Sequence, residues 1–527
     1  MEMVKTVNVI GSGLSGLSAA ITLARNGIRC NLISSMPSER AQSVLAEGGI
    51  NAALDTMGEN DSVEEHFADT MRGGCYLESE SAVRKLTEMA PDVVKELMRL
   101  GVPFNMRDNR LVLRNFGGQK NKRTAYADSS TGKAIMSALI DETRKYEASG
   151  LISRFSHHEL IDLQCRDGIL EQVIIRDNYT GNTLMFNGVT ILCTGGLNGL
   201  FRGHTTGTVL NTGIATAMVL AGGGELANLE FIQYHPTTIR ISGKHLLVSE
   251  AARGEGGRLF ALDNGVRRYF MEEKYPQSGN LMPRDVISRE MELLKRENKE
   301  ISFFLDMTQI TDEVWQNRLS DLREEVEAYV HLDPKKDPVP VEPGIHYFMG
   351  GIRVDGRHRT SITNLYAAGE AACRYHGANR LGGNSMLGAL VGGKLAAENA
   401  AGSAEPVTIE NMGKTEALNI RPHIAERITG ILLTGLPIIR NEEEMLEAEK
   451  DLQELLGREI NKYERIEAEL ALAMVTSALA RKESRGAHWR RDHPETSEEF
   501  QKQTVIKKEN GTTEVSFLSP DEEEEKL

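Results

Sequence analysis

The sequence predicts an α/β fold built on a dinucleotide-binding βαβ unit, with a separate helical region after it. Three observations carry this. An apolar run at residues 7–10 enters Gly11-Ser12-Gly13-Leu14-Ser15-Gly16 and then a helix of small and apolar residues over 17–25. Apolar runs at 350–354 and 363–368 read as strands returning to that unit from far along the chain. Beyond Pro406 the composition shifts to helical patterns. At 527 residues, 40% of them hydrophobic, the chain exceeds what one core organises, and two or three domains are expected.

Each element has a physical reason. The first glycine of the turn permits the bend, the second lets backbone approach a pyrophosphate, and the third lets the helix pack on the strand. The helix N-terminus then faces the negative charge with unpaired N–H groups. The next strand, 30–33, runs into Ser34-Ser35 where an acidic residue usually grips a ribose, and a serine hydroxyl can make that bond instead. Residues 45–54, with Gly48-Gly49 at their centre, are small enough for an isoalloxazine to lie against backbone; a helix-packing loop explains them equally well. Polar helices are expected over 62–100. Runs at 157–165, 169–176 and 183–186, around Asp167-Gly168 and Thr180-Gly181, read as hairpins. A strand at 189–193 ends in Thr194-Gly195-Gly196, a second place for backbone to meet a cofactor.

The helix over 387–400 starts just after Asn384-Ser385, so its positive end suits the N1/O2 edge of a flavin. Later helices are expected at 421–433, 442–458 and 463–482, the second opened by Asn441 and Glu444 as a capping box. From about Thr496 the residues turn polar, and 496–527 read as a frayed or disordered acidic tail.

Composition excludes several classes. A net charge of -15 argues against nucleic acid and against a polybasic membrane patch, though plain solubility also explains it. No run is long and apolar enough to span a bilayer and no signal-peptide pattern opens the chain, so a cytoplasmic protein without direct membrane insertion is expected. Cys30, Cys75, Cys165, Cys193 and Cys373 form no CxxC, so any metal redox centre must belong to a partner.

Against this acidic background five segments between Gln233 and Met386 stand out: QYHPTT, SEAARGEGG, MPRD, HYFMGG and YHGANRLGGNSM. Together they offer His235, Arg253, Arg284, His346 and Arg380 among small residues, where a rigid cation can face a ligand. A small polyanionic substrate follows from that cluster.

With Gly11 to Gly16, Gly48-Gly49, Phe116-Gly117-Gly118, GEAA and Glu483 to His488, these segments run in an order that resembles the flavoprotein subunits of succinate dehydrogenases and fumarate reductases. L-aspartate oxidases share it. The resemblance covers about residues 6–495. It implies a doubly wound, Rossmann-like FAD-binding domain at 1–234 and 347–405, an inserted mobile α+β capping domain at 235–346 and a C-terminal helical domain at 406–495. FAD contacts are implied at Gly11, Gly13, Leu14, Ser15 and Gly16, at Ser34, Ser43, Gly48 and Gly49, and at Thr194, Gly195, Glu370, Ser385 and Met386.

The same resemblance assigns chemistry. His235 and Ser249 would bind one carboxylate of a dicarboxylate, and His346 and Arg380 the other, placing the carbons between them over flavin N5 for hydride transfer. Arg284 would donate the proton, resupplied by a relay of Glu250 and Arg253, which lie three apart and on one face if helical. Two departures refine this. Family members generally attach FAD through a histidine where this chain has Gln42; an amide is no nucleophile, so FAD is expected to be non-covalent and fumarate reduction favoured over succinate oxidation. Aspartate oxidases typically place a glutamate where this chain has Phe116, which cannot answer an ammonium and inclines the reading towards an unaminated substrate. L-aspartate oxidase is the alternative, and a subunit serving mainly electron transfer to an iron-sulfur partner is a further one.

Overall fold

The computed structural model describes residues 4–509 and 511–520. Its central sheet has five parallel strands in the order Leu365–Ala367, Thr190–Leu192, Lys5–Ile10, Arg29–Ser34 and Ile152–Ser156, and Glu405–Pro406 pairs antiparallel with Lys5 and Thr6. Lys5–Ile10 is buried at every position after the first, as a parallel strand covered on both faces must be. The chain builds outward from this strand in both directions. The order therefore reverses between Lys5–Ile10 and Thr190–Leu192, and ligands bind at such switch points, outside the carboxyl ends of the strands. Helices Leu14–Arg25 and Asn384–Gly402 cross closely because Gly393 lies against Ser15: a Cβ there would stand 2.2 Å from the Ser15 carbonyl oxygen.

The expected hairpins form an antiparallel sheet of Ile409–Lys414, Asn182–Asn187, Ile169–Asp177 and His158–Arg166. Gly351–Arg353, expected to return to the dinucleotide-binding unit, pairs with Leu226–Ala227 in a five-stranded sheet and not with the parallel strands. A short run buried on both faces does not encode which sheet it joins; Leu365–Ala367 does return. Between these segments lies an α+β insertion with its own apolar core, which includes Leu259, Leu305, Trp315, Leu322 and Val339. Its strands Lys244–Leu247, Ile232–Ile241 and Glu342–Phe348 form one sheet, and Val266–Arg268, Arg258–Asp263, Ser302–Asp306 and Val339–Pro340 another.

Helices Pro422–Gly435, Glu442–Leu456 and Lys462–Ala480 follow. Asn441 caps the second by accepting the Glu444 N–H at 3.0 Å, but the reciprocal capping box closes at Asn461 and Glu464. There the Glu464 carboxylate accepts the Asn461 N–H at 3.0 Å and also binds Arg421.

The tail departs most from expectation. Gln503–Glu509 and Thr512–Leu518 form a hairpin that completes the five-stranded sheet beside Leu226–Ala227. Gln503 and Thr504 are buried beside Val505 and Ile506, and the second strand alternates between exposed and half-buried positions, so composition concealed a strand pair. Arg481, wholly buried, fastens it by donating to the carbonyls of Phe500 and Lys502 and to Glu230. The acidic run 521–527 lies outside the described residues. Among the described residues no helix is long and apolar enough to cross a membrane.

Candidate active site

A cavity of about 1060 Å³ is walled on one side by the carboxyl ends of the parallel strands and on the other by His235, Arg284 and His346. Its first half suits a dinucleotide. Gly11 has φ +108°, and a Cβ there would sit 2.1 Å from the Cys193 carbonyl oxygen, so the turn admits only glycine. Gly13 caps helix Leu14–Arg25 and Gly383 caps Asn384–Gly402; neither helix has a side-chain cap, which leaves N–H groups at both N-termini for an anionic ligand. Ser43 leans on the first of these, its Oγ 3.2 Å from the Leu14 nitrogen.

Ser15, Gly48, Gly49, Thr194, Gly195, Ser385 and Met386 line the same wall. Ser34 lines it too, with its hydroxyl donated to the Met36 carbonyl and its oxygen left able to accept. Glu370 accepts the Phe348 N–H at 3.1 Å, and burial pushes its carboxyl up to about 7. Gly16 is not on the wall. A Cβ on it would lie 1.8 Å from the Gly11 carbonyl, so it serves strand–helix packing. Gln42 lines the cavity and accepts the Thr208 N–H at 2.6 Å. These residues fit FAD: the open N-terminus of Leu14–Arg25 suits the pyrophosphate, that of Asn384–Gly402 suits the N1/O2 edge of the ring, and a glycine-lined wall leaves room for the ring itself.

The second half collects the cations. Helix Glu250–Gly254 does put Glu250 and Arg253 on one face, with Arg253 Nη2 3.6 Å from Glu250 Oε1. Arg284, at the start of helix Arg284–Glu297, donates Nε to Glu250 Oε2 at 2.8 Å and places Nη2 at 2.7 Å from it. The Gly117 N–H reaches Glu250 Oε1 at 2.8 Å. Burial works against the Glu250 charge, yet Arg284 and Arg253 outweigh it and hold the carboxyl below the usual range. Arg253 stands behind Glu250, off the cavity wall, tied to the Asn280 carbonyl at 2.7 Å.

His235 and His346 face each other with ring centroids 5.2 Å apart. Burial, then Arg284, lowers both well below the ordinary histidine value, so both are neutral at pH 7. Thr206 Oγ1 is 2.7 Å from His346 Nδ1. His235 Nδ1 lies 3.2 Å from the Thr237 carbonyl oxygen and 3.3 Å from the Thr237 nitrogen, while Nε2 is buried without a partner on the cavity side. Ser249 sits on the wall at the N-cap of helix Glu250–Gly254. Arg380 lies over the Tyr347 ring at 4.4 Å, and burial beside Arg284 lowers it to about 9. Phe116, 2% exposed, packs where Cβ atoms on Gly48 and Gly382 would meet its ring at 3.1 Å. The inner group of Arg253, Arg284, Arg380 and Glu250 thus carries a net charge of +2, the complement of a dicarboxylate.

Sequence reasoning passed over Gln233 and Thr206. Gln233 lies two residues before His235 in one strand, and period-two alternation puts both on the same side. Thr206 had no such signal, since it approaches His346 from a loop distant in sequence.

Residues 6–386 match the FAD binding domain family, and 464–523 match the fumarate reductase flavoprotein C-terminal family, beyond the 495 expected and across the hairpin. Fold and site together define an FAD-dependent oxidoreductase. The chain belongs to the flavoprotein family of succinate dehydrogenases and fumarate reductases. It is 35% identical to the succinate dehydrogenase flavoprotein subunit of Bacillus subtilis, over 95% of this chain and 94% of that one. It is 31% identical to the L-aspartate oxidase of Streptomyces coelicolor, over 95% and 90%. A solved mutant of E. coli quinol fumarate reductase FrdA superposes with a TM-score of 0.88 at 28% identity, over 98% of this chain and 97% of that one.

Proposed function

We propose that the protein interconverts fumarate and succinate, with reduction of fumarate favoured and FAD held non-covalently. The observation that carries this is the buried line Arg284–Glu250–Arg253, which with Arg380 makes an inner group of net charge +2 at one end of the cavity. His235 and Ser249 bind one carboxylate, and His346 and Arg380 bind the other. When bound and reduced, FAD would supply the electron pair as a hydride to one alkene carbon and would itself be left oxidised. Arg284 gives a proton to the neighbouring carbon: its contacts with Glu250 and Gln233 use three of five N–H groups, leaving one hydrogen on each Nη. Glu250, ionised at rest, takes a proton from Arg253 and passes it to Arg284, and Arg253 is reprotonated from outside the site. An arginine is a weak acid in water, but here the replacement proton arrives across 2.7–2.8 Å.

Phe116 supports the unaminated substrate over L-aspartate, because it offers an apolar wall and no acceptor for an ammonium group. Gln42 supports non-covalent FAD and, with it, the reductive direction, since its amide has no nucleophilic nitrogen and its oxygen is already bonded to Thr208. The electrons come from an iron-sulfur partner, a reading supported by relatives named as flavoprotein subunits. Anaerobic incubation of the purified flavoprotein with fumarate, succinate and L-aspartate tests the reading. Fumarate should reoxidise the dithionite-reduced flavin and succinate should slowly bleach the oxidised one; bleaching by aspartate alone would overturn it.

A further inference from the structure

Gln233 is wholly buried on the strand Ile232–Ile241 and its carboxamide is fully engaged. Oε1 accepts from Arg284 Nη1 at 3.1 Å and from Arg380 Nη2 at 2.9 Å. Nε2 donates to Asn379 Oδ1 at 2.9 Å and to the Arg380 carbonyl at 2.8 Å. The amide has one orientation: exchanging its ends would turn an NH2 group on two guanidiniums and leave the Arg380 carbonyl facing an oxygen. One neutral oxygen therefore joins the arginine assigned to proton donation and the arginine assigned to carboxylate binding.

We propose that Gln233 is a positioning residue that couples Arg284 to Arg380, holding both guanidiniums at one spacing while leaving both charges uncancelled. The inference rests on the fumarate–succinate reading of this site. A carboxylate here would reach the same two nitrogens but would cancel a positive charge, weakening dianion binding and strengthening the hold of Arg284 on its proton. An apolar side chain of similar size would leave two buried N–H groups unpaired and the arginines free to move apart. A neutral amide avoids both faults.

The test compares wild-type, Gln233→Glu and Gln233→Met holoenzymes by FAD content, by kcat and KM for fumarate against pH, and by calorimetric Kd for malonate, an unreactive dicarboxylate. Gln233→Glu should lower kcat about 10- to 100-fold, raise the malonate Kd about tenfold or more, and move the alkaline limb of the kcat profile to higher pH. Gln233→Met should raise the malonate Kd and lower kcat by about tenfold each without moving that limb. A residue that only supported the fold would change thermal stability and leave the limb and the malonate Kd alone. Gln233→Glu with FAD bound, and with malonate Kd and pH profile within twofold of wild type, overturns the proposal. If that variant loses FAD, Gln233→Met decides: wild-type malonate affinity refutes the coupling and a tenfold loss supports it. Wild-type protein that binds malonate but does not turn over fumarate would sink the functional reading, and the malonate comparison would still judge Gln233.

Discussion

Glu250→Gln separates the proton relay from mere charge balance. The wild-type carboxylate meets Arg284 Nε at 2.8 Å and Nη2 at 2.7 Å, Arg253 at 3.6 Å and the Gly117 N–H at 2.8 Å, all out of water. Glutamine keeps the shape and still accepts from Gly117, but turns an NH2 group on the guanidinium and can no longer accept and return a proton. Removing one member of a buried ion pair costs about 3–5 kcal/mol, so the ligand-free holoenzyme should unfold at lower temperature. The inner charge rises from +2 to +3, which favours a dianion, so KM for fumarate should stay the same or fall. A positioned proton-transfer group contributes about 10²- to 10⁴-fold, and kcat should fall by that factor. Thermal unfolding measures the first, turnover of fumarate with a reduced dye gives KM and kcat, and FAD per chain shows that the variant is loaded. A fully flavinated variant with kcat within threefold of wild type, or one that fails only by raising KM, would refute the relay.

Three further outcomes are expected. Burial pushes Glu467 up to about 7 even with Arg202 at 3.3 Å; its folded-state value exceeds the unfolded one, so the stability it contributes is complete below about pH 4.5 and lost as pH rises through 7. Glu467→Gln should therefore gain on wild type between pH 5 and pH 8, by up to about 3 kcal/mol, and an equal difference in Tm at both pH values would contradict this. Truncation after Lys502 strips Arg481 of its Thr504 contact and exposes Leu226, so thermal unfolding should occur at markedly lower temperature; an unchanged Tm would deny the hairpin its structural role. Acid precipitation should leave the yellow colour in the supernatant, whereas a yellow pellet would show covalent flavin.

The fold was legible where local chemistry dictates backbone. Gly11 and Gly16 sit where any Cβ would collide with carbonyl oxygens, and such positions announce themselves in sequence. The same holds for His235, Arg284, His346 and Arg380, two imidazoles and two guanidiniums set among small residues, which the fold gathers from separate elements. Long-range pairing was not legible. Gly351–Arg353 joined another sheet because a short apolar run carries no address, and Gln503–Leu518 hid its strands because two of its four deeply buried residues, Gln503 and Thr504, are polar. Gln233 was overlooked because its importance lies in two partners, 51 and 147 residues away, that no local pattern connects.

The most direct measurement is the single-turnover reoxidation of anaerobically reduced protein by fumarate, wild type against Arg284→Ala. The side chain removed is 8% exposed and bears on Glu250 and Gln233, not on the glycine wall, so the variant should keep FAD and its absorbance spectrum. With the proton donor gone, fumarate should reoxidise the flavin at least about 10²- to 10⁴-fold more slowly. Reoxidation by Arg284→Ala at a rate near that of wild type, with FAD bound, would contradict the account.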